Sequence, residues 1–345
     1  MKMFTKDPTW NRVLRVAVPI GAIALVLTGC ASSTPAATAS SPKIAAVIKG
    51  LDNPFFQAME NGINDTAKAD GLTVTVQAAA DIGDTTGQAD KLTTVAGQDF
   101  GCYVVNPISG SNLVQALSQI STSGKKIVNI DNPIDAAAAK TANINIATYI
   151  GTDNVAAGGK AGDFITKQVP SGTVAIIGGV AGDVTSAARI DGFKKAVDGK
   201  LTVVQETAAD WKRELALTAA TNIITAHPDV KAFFAANDGM GLGIVKAIEN
   251  AGLTGKIDVV SVDGNKDALQ SVADGGLTAT VAQYPYAVGT LGVQACEVLS
   301  AGGTVPASIE SPTALVTKDL AAGAIAKFPH PFQSFDNPLT ALLKK

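Results

Sequence analysis

Short apolar runs recur along the chain, separated by longer segments in which apolar residues return every three to four positions. The first run, residues 44–48, is continuous, as in a strand buried on both faces of a parallel sheet. Asn53 and Pro54 then read as the N-cap and first residue of a helix, and Gly71 as its stop. Further strands are predicted at 73–79, 101–106, 125–131, 173–178, 202–207, 231–237, 257–263 and 279–283. Between them, helices are predicted at 112–121, 156–167, 188–197, 214–226, 241–250 and 267–273. Repeated strand-helix units imply parallel sheets covered by helices on both faces. Nine strands exceed one comfortable open sheet in a chain of this size, so two doubly wound α/β lobes are expected. No repeat of 20 to 50 residues is evident, which argues against a solenoid.

Several predicted strands end on polar residues: Lys49, Asn106, Asp131, Asn237 with Asp238, Asp263 and Gln283. Ligands of open parallel sheets sit beyond the carboxyl ends of the strands, so a cleft between two lobes gathers such side chains from both sides. Asp and Asn are also common in loops after strands, so the inference rests on the set rather than on any one member. Phe55 and Phe56 are neighbours on one helix and point in different directions; only one easily faces its own sheet, and the other is expected to line a pocket. Trp211 follows Asp210 in a segment poor in apolar neighbours, which favours a pocket over the core. Asn53 can cap its helix or meet a ligand, depending on its rotamer. Lys49 can reach solvent or ligand, and Arg189 can serve as a salt-bridge residue or as a contact.

The N-terminal residues change the picture. Lys2, Lys6, Arg12 and Arg15 lead into an apolar stretch over 16–27, which closes on Leu27-Thr28-Gly29-Cys30. This order is an export signal, with an apolar stretch shorter than the roughly 20 residues of a spanning helix. Its ending resembles a bacterial lipoprotein box, in which Cys30 is lipidated and becomes the new N-terminus. An uncleaved anchor with an incidental cysteine is the alternative. Residues 1–30 are thus read as a lipoprotein signal peptide, and residues 31–42, all Ala, Ser, Thr or Pro, as a flexible tether.

The 345-residue chain has a formal charge of −3, and loss of the leader's four cations and one anion takes it to about −6. A mildly acidic chain lacks the basic face expected of a nucleic-acid binder. No later segment is long and apolar enough to span a membrane as a helix. Cys102 and Cys296 remain, each in an apolar run, which favours buried thiols over a disulfide. The glycine strings at 178–182 and 239–243 lack the spacing of a dinucleotide fingerprint, and no phosphate loop occurs. His227 and His330, the only histidines, lie near no nucleophile motif, and metal-ligand clusters are absent from the sequence. Neither enzymatic activity nor a cofactor is expected.

From Lys43 to about Thr317 the chain carries, in order, Asn53-Pro-Phe-Phe56, Asn129-Ile-Asp131, Thr152-Asp-Asn-Val155, Ala208-Ala-Asp-Trp211, Ala226-His-Pro-Asp229, Ala236-Asn-Asp-Gly-Met240, Val262-Asp-Gly264 and Ala279-Thr-Val-Ala-Gln283. In these strings it resembles the type I periplasmic monosaccharide-binding proteins, such as the ribose- and allose-binding proteins of bacterial ABC importers. The resemblance implies two Rossmann-like lobes joined by three crossovers, near 151–153, 283–285 and 311–313. An N-terminal lobe of 43–151 plus 284–311 is expected, with 152–283 plus 312–345 forming the C-terminal lobe and tail.

Family ligand positions fall on Asn53, Phe55, Phe56, Asp131, Trp211, Asn237, Asp263 and Gln283, and Lys49, Asn132 and Arg189 complete the candidate site. The set suits a neutral polyol: carboxylates accept hydroxyl protons, Asn53, Asn237 and Gln283 serve as donors and acceptors, and aromatic rings cover C–H faces. Ribose binders carry Ser in place of Lys49, Arg in place of Asn132 and Arg in place of Ala187, whereas Lys49 and the Ala-Asp-Trp string resemble the allose-binding branch. An allose-like hexose or small sugar alcohol is therefore expected ahead of ribose. The implied protein is a monomeric solute-binding lipoprotein, anchored through Cys30 to the outer face of the cytoplasmic membrane. It captures its ligand by hinge closure and delivers it to ABC permease membrane subunits. A sugar or signal receptor feeding a chemoreceptor or membrane kinase is the alternative. The export leader argues against a transcription repressor with the same core.

Overall fold

A computed structural model describes residues 43–344; the leader, Cys30 and the tether lie outside the described residues. The chain opens with β1 (Lys43–Ile48), α1 (Pro54–Ala69), β2 (Thr73–Ala78), α2 (Thr85–Ala96), β3 (Cys102–Val105), α3 (Val114–Thr122), β4 (Lys126–Ile130), α4 (Ala136–Thr141) and β5 (Thr148–Thr152). It continues with α5 (Asn154–Gln168), β6 (Gly172–Gly178), α6 (Val184–Val197), β7 (Leu201–Ala208), α7 (Arg213–Ala226), β8 (Val230–Ala235), α8 (Asp238–Asn250), β9 (Asp258–Asp263), α9 (Lys266–Asp274) and β10 (Ala279–Ala282). Then come α10 (Pro285–Ser300), β11 (Ser308–Ser311), β12 (Ala314–Val316) and α11 (Lys318–Lys327).

One six-stranded sheet runs β11-β5-β4-β3-β1-β2 and the other β12-β10-β9-β8-β6-β7. Pairing is parallel throughout, except that β12 runs antiparallel to β10. The chain therefore passes between the sheets three times: after β5, after β10, and between β11 and β12. The strand order reverses between β1 and β3 in one sheet and between β6 and β8 in the other, the switch points where doubly wound sheets bind ligands.

Alternation along β1 explains why its apolar run is continuous. Ile44, Ala46 and Ile48 enter the core shared with α1 and α10, while Ala45 and Val47 enter the core shared with α2 and α3. In the second sheet the equivalent layer holds Phe193 and Phe234, stacked with ring centroids 4.4 Å apart. Helix starts repeat one device, a strand followed by an Asx side chain that accepts a hydrogen bond from the first helical turn. Asn53, Asp84, Asp135, Asp153, Asp183 and Asn237 all do this. Each cap satisfies an otherwise orphaned N–H, worth about 1 kcal/mol, and puts a polar residue in the loop between strand and helix.

Three expectations need correction. Strands β5, β11 and β12 fall outside the predicted set, because β5 and β11 are short and broken by Gly or Glu and β12 is only three residues long. Cys102 and Cys296 form a disulfide with Cα atoms 5.7 Å apart, not two thiols. Their apolar neighbours fitted either state, and what decides is the return of α10 across β3. Closing a loop over a separation of 194 residues is worth about 5 kcal/mol in the chain-entropy account. The tail, expected with the second lobe, is shared. Phe328 and Phe332 pack on that lobe's core, but Phe335, Leu339 and Leu342 pack on the first lobe's, and Asn337 Nδ2 donates to Gln294 of α10 at 2.9 Å. Burial of these three apolar side chains drives that return.

Candidate functional site

The two sheets aim the carboxyl ends of their strands at one cavity of about 360 Å³, near the small end of the roughly 300 to 1,000 Å³ of ligand pockets. Of the eleven candidate ligand residues, nine lie on its wall: Lys49, Asn53, Phe55, Phe56 and Asp131 from the first lobe, Arg189, Trp211, Asn237 and Asp263 from the second.

On the first-lobe wall, Lys49 follows β1 directly, with Nζ 3.8 Å from Asp131 Oδ2 and 5.3 Å from the centre of the Phe56 ring. The rings of Phe55 and Phe56 meet edge to face at 5.2 Å. Both join the lobe's core as well as lining the cavity, so neither is confined to one role as their adjacency suggested. Asp131 has φ 61, a left-handed conformation unusual for a residue with a Cβ. It is held from two sides: its amide donates to Ile150 O at 2.8 Å, and its carbonyl accepts from Tyr149 Oη at 2.7 Å.

On the second-lobe wall the polar groups are bound to one another. Arg189 Nη1 donates to Asp263 Oδ1 at 3.1 Å and to Ala236 O at 2.7 Å, while Nε donates to Asn154 Oδ1 at 2.8 Å. Gln283 Nε2 donates to the same Asp263 oxygen at 2.8 Å. The Arg189 guanidinium also sits 5.9 Å from the Trp211 ring. Trp211 and its neighbour Asp210 have φ of 63 and 51, and Asp263 has φ 136. Strained backbone thus clusters at Asp131, Trp211 and Asp263, as it does at functional sites generally. Gly179 is what gives the indole its place: a Cβ there would lie 2.2 Å from Trp211 Cε2.

Burial raises the Asp263 carboxyl to about 6; Arg189 opposes the rise, the Asp131 charge adds to it, and the Gln283 hydrogen bond opposes it. Behind it Asp238 is fully buried, and burial followed by the Asp263 charge pushes its carboxyl well above the usual range. Three donors counter that rise: Ser261 Oγ at 2.6 Å, Thr280 Oγ1 at 2.7 Å and Asn265 N at 2.7 Å. Asp238 is thereby a brace that ties the start of α8 to β9, β10 and the loop before α9.

Two candidates do not line the cavity. Gln283 acts on Asp263 instead, fixing which oxygen remains free. Asn132, 1 % exposed, donates through Nδ2 to Pro107 O at 3.1 Å and Ile108 O at 3.2 Å, and accepts from Thr185 Oγ1 at 3.0 Å. The asparagines on the wall are also less versatile than expected. Asn53 Oδ1 accepts from Phe55 N at 3.0 Å and Asn237 Oδ1 from Met240 N at 2.9 Å, so each turns its NH₂ group to the cavity as a donor. Acceptors on the wall are the carboxylate oxygens of Asp131 and Asp263, together with Asp183, whose Oδ1 caps α6 by accepting from Ser186 N at 2.8 Å; Lys49 and Arg189 are the cations.

The match to a family model covers residues 44–304, the model being a periplasmic binding protein domain. The chain belongs to that family. It is 39 % identical over 274 residues to the D-allose-binding periplasmic protein of Escherichia coli strain K12, covering 78 % of this chain and 87 % of that protein. Identity to the ribose import binding protein RbsB of Bacillus subtilis strain 168 is 34 % over 272 residues, covering 79 % and 86 %. Among solved structures, a periplasmic solute-binding protein of an ABC transporter from Actinobacillus succinogenes 130z, with bound D-allose, superposes with a TM-score of 0.78 at 29 % identity, covering 82 % of this chain and 99 % of that one. A solute-binding protein from Mycobacterium smegmatis with bound glycerol gives 0.76 at 28 %, covering 84 % and 99 %.

Seen as a periplasmic binding protein, the chain also has wall residues that strand-end reading could not reach. Ile82 and Ile108 of the first lobe, and Val180, Val184 and Thr185 of the second, come from loops and a helix start. The usable signal was Asp183, an N-cap after a glycine-rich turn, which starts α6 at Val184 rather than near Ala188.

Proposed function

We propose that this protein is the solute-binding component of an ABC importer and carries a neutral monosaccharide or small polyol, with an allose-like hexose favoured over ribose. The observation that carries the reading is the wall itself: three carboxylates, one of them the α6 cap Asp183, with two cations and two amide NH₂ groups, mixing acceptors and donors around a cavity bordered by Phe55, Phe56 and Trp211. A hydroxyl can donate to one group while accepting from another, so a polyol satisfies a wall that mixes both kinds. Aromatic faces bury the C–H surface of such a ligand and fix its orientation. The 39 % identity to a D-allose-binding protein supports the choice of hexose.

Ligand enters an open cleft, contacts one wall, and is enclosed when the lobes rotate about the three crossovers, because only the closed form presents both halves of the hydrogen-bond set. It is released unchanged to the permease, so the protein works as a carrier and not as an enzyme. Cys30 is the lipid attachment point in this reading and places a monomeric protein on the outer face of the cytoplasmic membrane. The test is a panel of pentoses, hexoses, hexitols and inositols titrated by calorimetry, with tryptophan emission followed in parallel. A hexose or small polyol bound at micromolar or better affinity with a change in emission is expected; no binding across the panel overturns the reading. Replacement of Cys30 by serine is expected to release the exported protein from the membrane fraction.

A further inference from the structure

Asn132 and Thr185 make the one side-chain hydrogen bond among the described residues that joins the two lobes across the cleft, away from the crossovers and the tail. Its geometry fixes the amide. Asn132 Nδ2 is held by the carbonyls of Pro107 and Ile108, at 3.1 and 3.2 Å, so Oδ1 must face the second lobe. There Thr185 Oγ1 donates to it at 3.0 Å. The backbone is fixed as well, since Asn129 Nδ2 donates to Asn132 O at 2.8 Å and Asn129 Oδ1 accepts from Ile134 N at 2.9 Å. On the other side, Thr185 lies in the first turn of α6, which Asp183 caps, and stands one turn before Arg189. Asn132 is next to Asp131. The bond therefore links the segment that carries the first lobe's carboxylate to the helix that carries the second lobe's guanidinium.

We infer that Asn132 and Thr185 form a latch that sets how firmly the cleft stays closed, and hence how long ligand is retained, through a direct bond between the two lobes. The inference rests on the two-lobed carrier reading above. A contact present only when the lobes are together adds to the closed population whatever the cavity holds, and apparent affinity scales with that population. Thr185 also borders the cavity, but its hydroxyl proton is committed to Asn132 Oδ1, so the latch acts equally on every ligand.

The test uses Thr185→Val, which keeps the shape and removes the donor, and Thr185→Ser, which restores it. Hydrogen exchange in the full chain without ligand is read at residues 82–85 and 209–212, on opposite walls and away from the latch. Thr185→Val is expected to speed exchange at both segments several-fold, with Thr185→Ser close to the original protein. Exchange that is the same in all three proteins overturns the proposal. With D-allose and D-ribose as probes, Thr185→Val is expected to raise dissociation rates about tenfold while the ratio of the two affinities stays constant. A changed ratio means that Thr185 touches the sugar, and the latch reading fails. If neither sugar binds the original protein, the panel above decides the ligand class, and the exchange measurement by itself decides the latch.

Discussion

The first-lobe wall of the cleft holds its charged pair apart, with Lys49 and Asp131 at 3.8 Å and their side chains 14 % and 16 % exposed. The second-lobe pair, Arg189 and Asp263, is in hydrogen-bond contact at 3.1 Å and only 5 % and 6 % exposed. The difference is one of preorganisation. Arg189, Asp263, Gln283 and the carbonyl of Ala236 are satisfied by one another, so their positions are set before ligand arrives. Lys49 and Asp131 are close enough to attract but too far to bond, which leaves both with capacity for a ligand hydroxyl. One wall is a fixed template and the other an adjustable clasp; stability should depend on the first and affinity on both.

Breaking the template is expected to have the largest effect. Arg189→Leu leaves Asp263 buried without its cation, and losing one partner of a buried pair costs about 3 to 5 kcal/mol. Urea unfolding should show that loss together with the loss of ligand binding. The same test on the clasp should separate the two properties. Asp131→Ala removes an acceptor whose charge-assisted bond to a hydroxyl is worth about 1.5 to 3 kcal/mol, so affinity falls roughly 10- to 150-fold. Its partner Lys49 can turn toward water, so unfolding should shift by less than about 0.5 kcal/mol. Equal stability losses in the two variants would remove the distinction between the walls.

Acidity sharpens the contrast, because the Asp263 carboxyl is raised to about 6. Both Arg189 and a ligand hydroxyl favour the ionised form. Affinity should therefore level off above about pH 7 and be about tenfold weaker at pH 5, as one proton competes with ligand. Stability runs the opposite way. The folded carboxyl keeps its proton to higher pH than the unfolded one at 3.8, so this group's contribution is full below about 4 and is lost as pH rises through 6. Calorimetry and unfolding across pH 4 to 8 should give opposite slopes for this group, and Asp263→Asn should remove its part of both.

The second-lobe network also shows where sequence reading reaches its limit. Strand-end polarity pointed to Lys49, Asp131, Asn237 and Asp263, because backbone period and sheet direction decide where such residues emerge. The Asn-Pro start of α1 was legible for the same local reason. Side-chain pairing was not: whether Gln283 faces ligand or Asp263, and whether Asn132 faces the cavity or Thr185, depends on rotamers set by residues far apart in the chain. The disulfide belongs with these, since no local pattern tells Cys102 that α10 returns over it after 194 residues. Lys49 was ambiguous between solvent and ligand, and the structure keeps both features, a partly exposed stem and an ammonium on the wall.

The smallest expected effect concerns the aromatic part of the template. Trp211 reaches the cavity from a left-handed backbone segment, and its indole lies over Gly179 at a distance that leaves no room for a methyl group. Gly179→Ala must therefore displace the ring, because the ring is the movable partner and the end of β6 is not: Ala209 N donates to Gly178 O at 2.8 Å and Gly179 N donates to Ser186 Oγ at 2.8 Å. The indole shifts toward the cavity and away from its cation contact with Arg189, taking volume from the ligand. Affinity should fall about threefold, with a change in tryptophan emission already visible without ligand, and overpacking should lower stability by about 1 kcal/mol. The same insertion on the first-lobe wall lacks an equivalent target, since Phe55 and Phe56 lie against side chains of their own lobe. If Gly179→Ala leaves emission and affinity unchanged, the ring is not seated as described, and the template is limited to its polar groups.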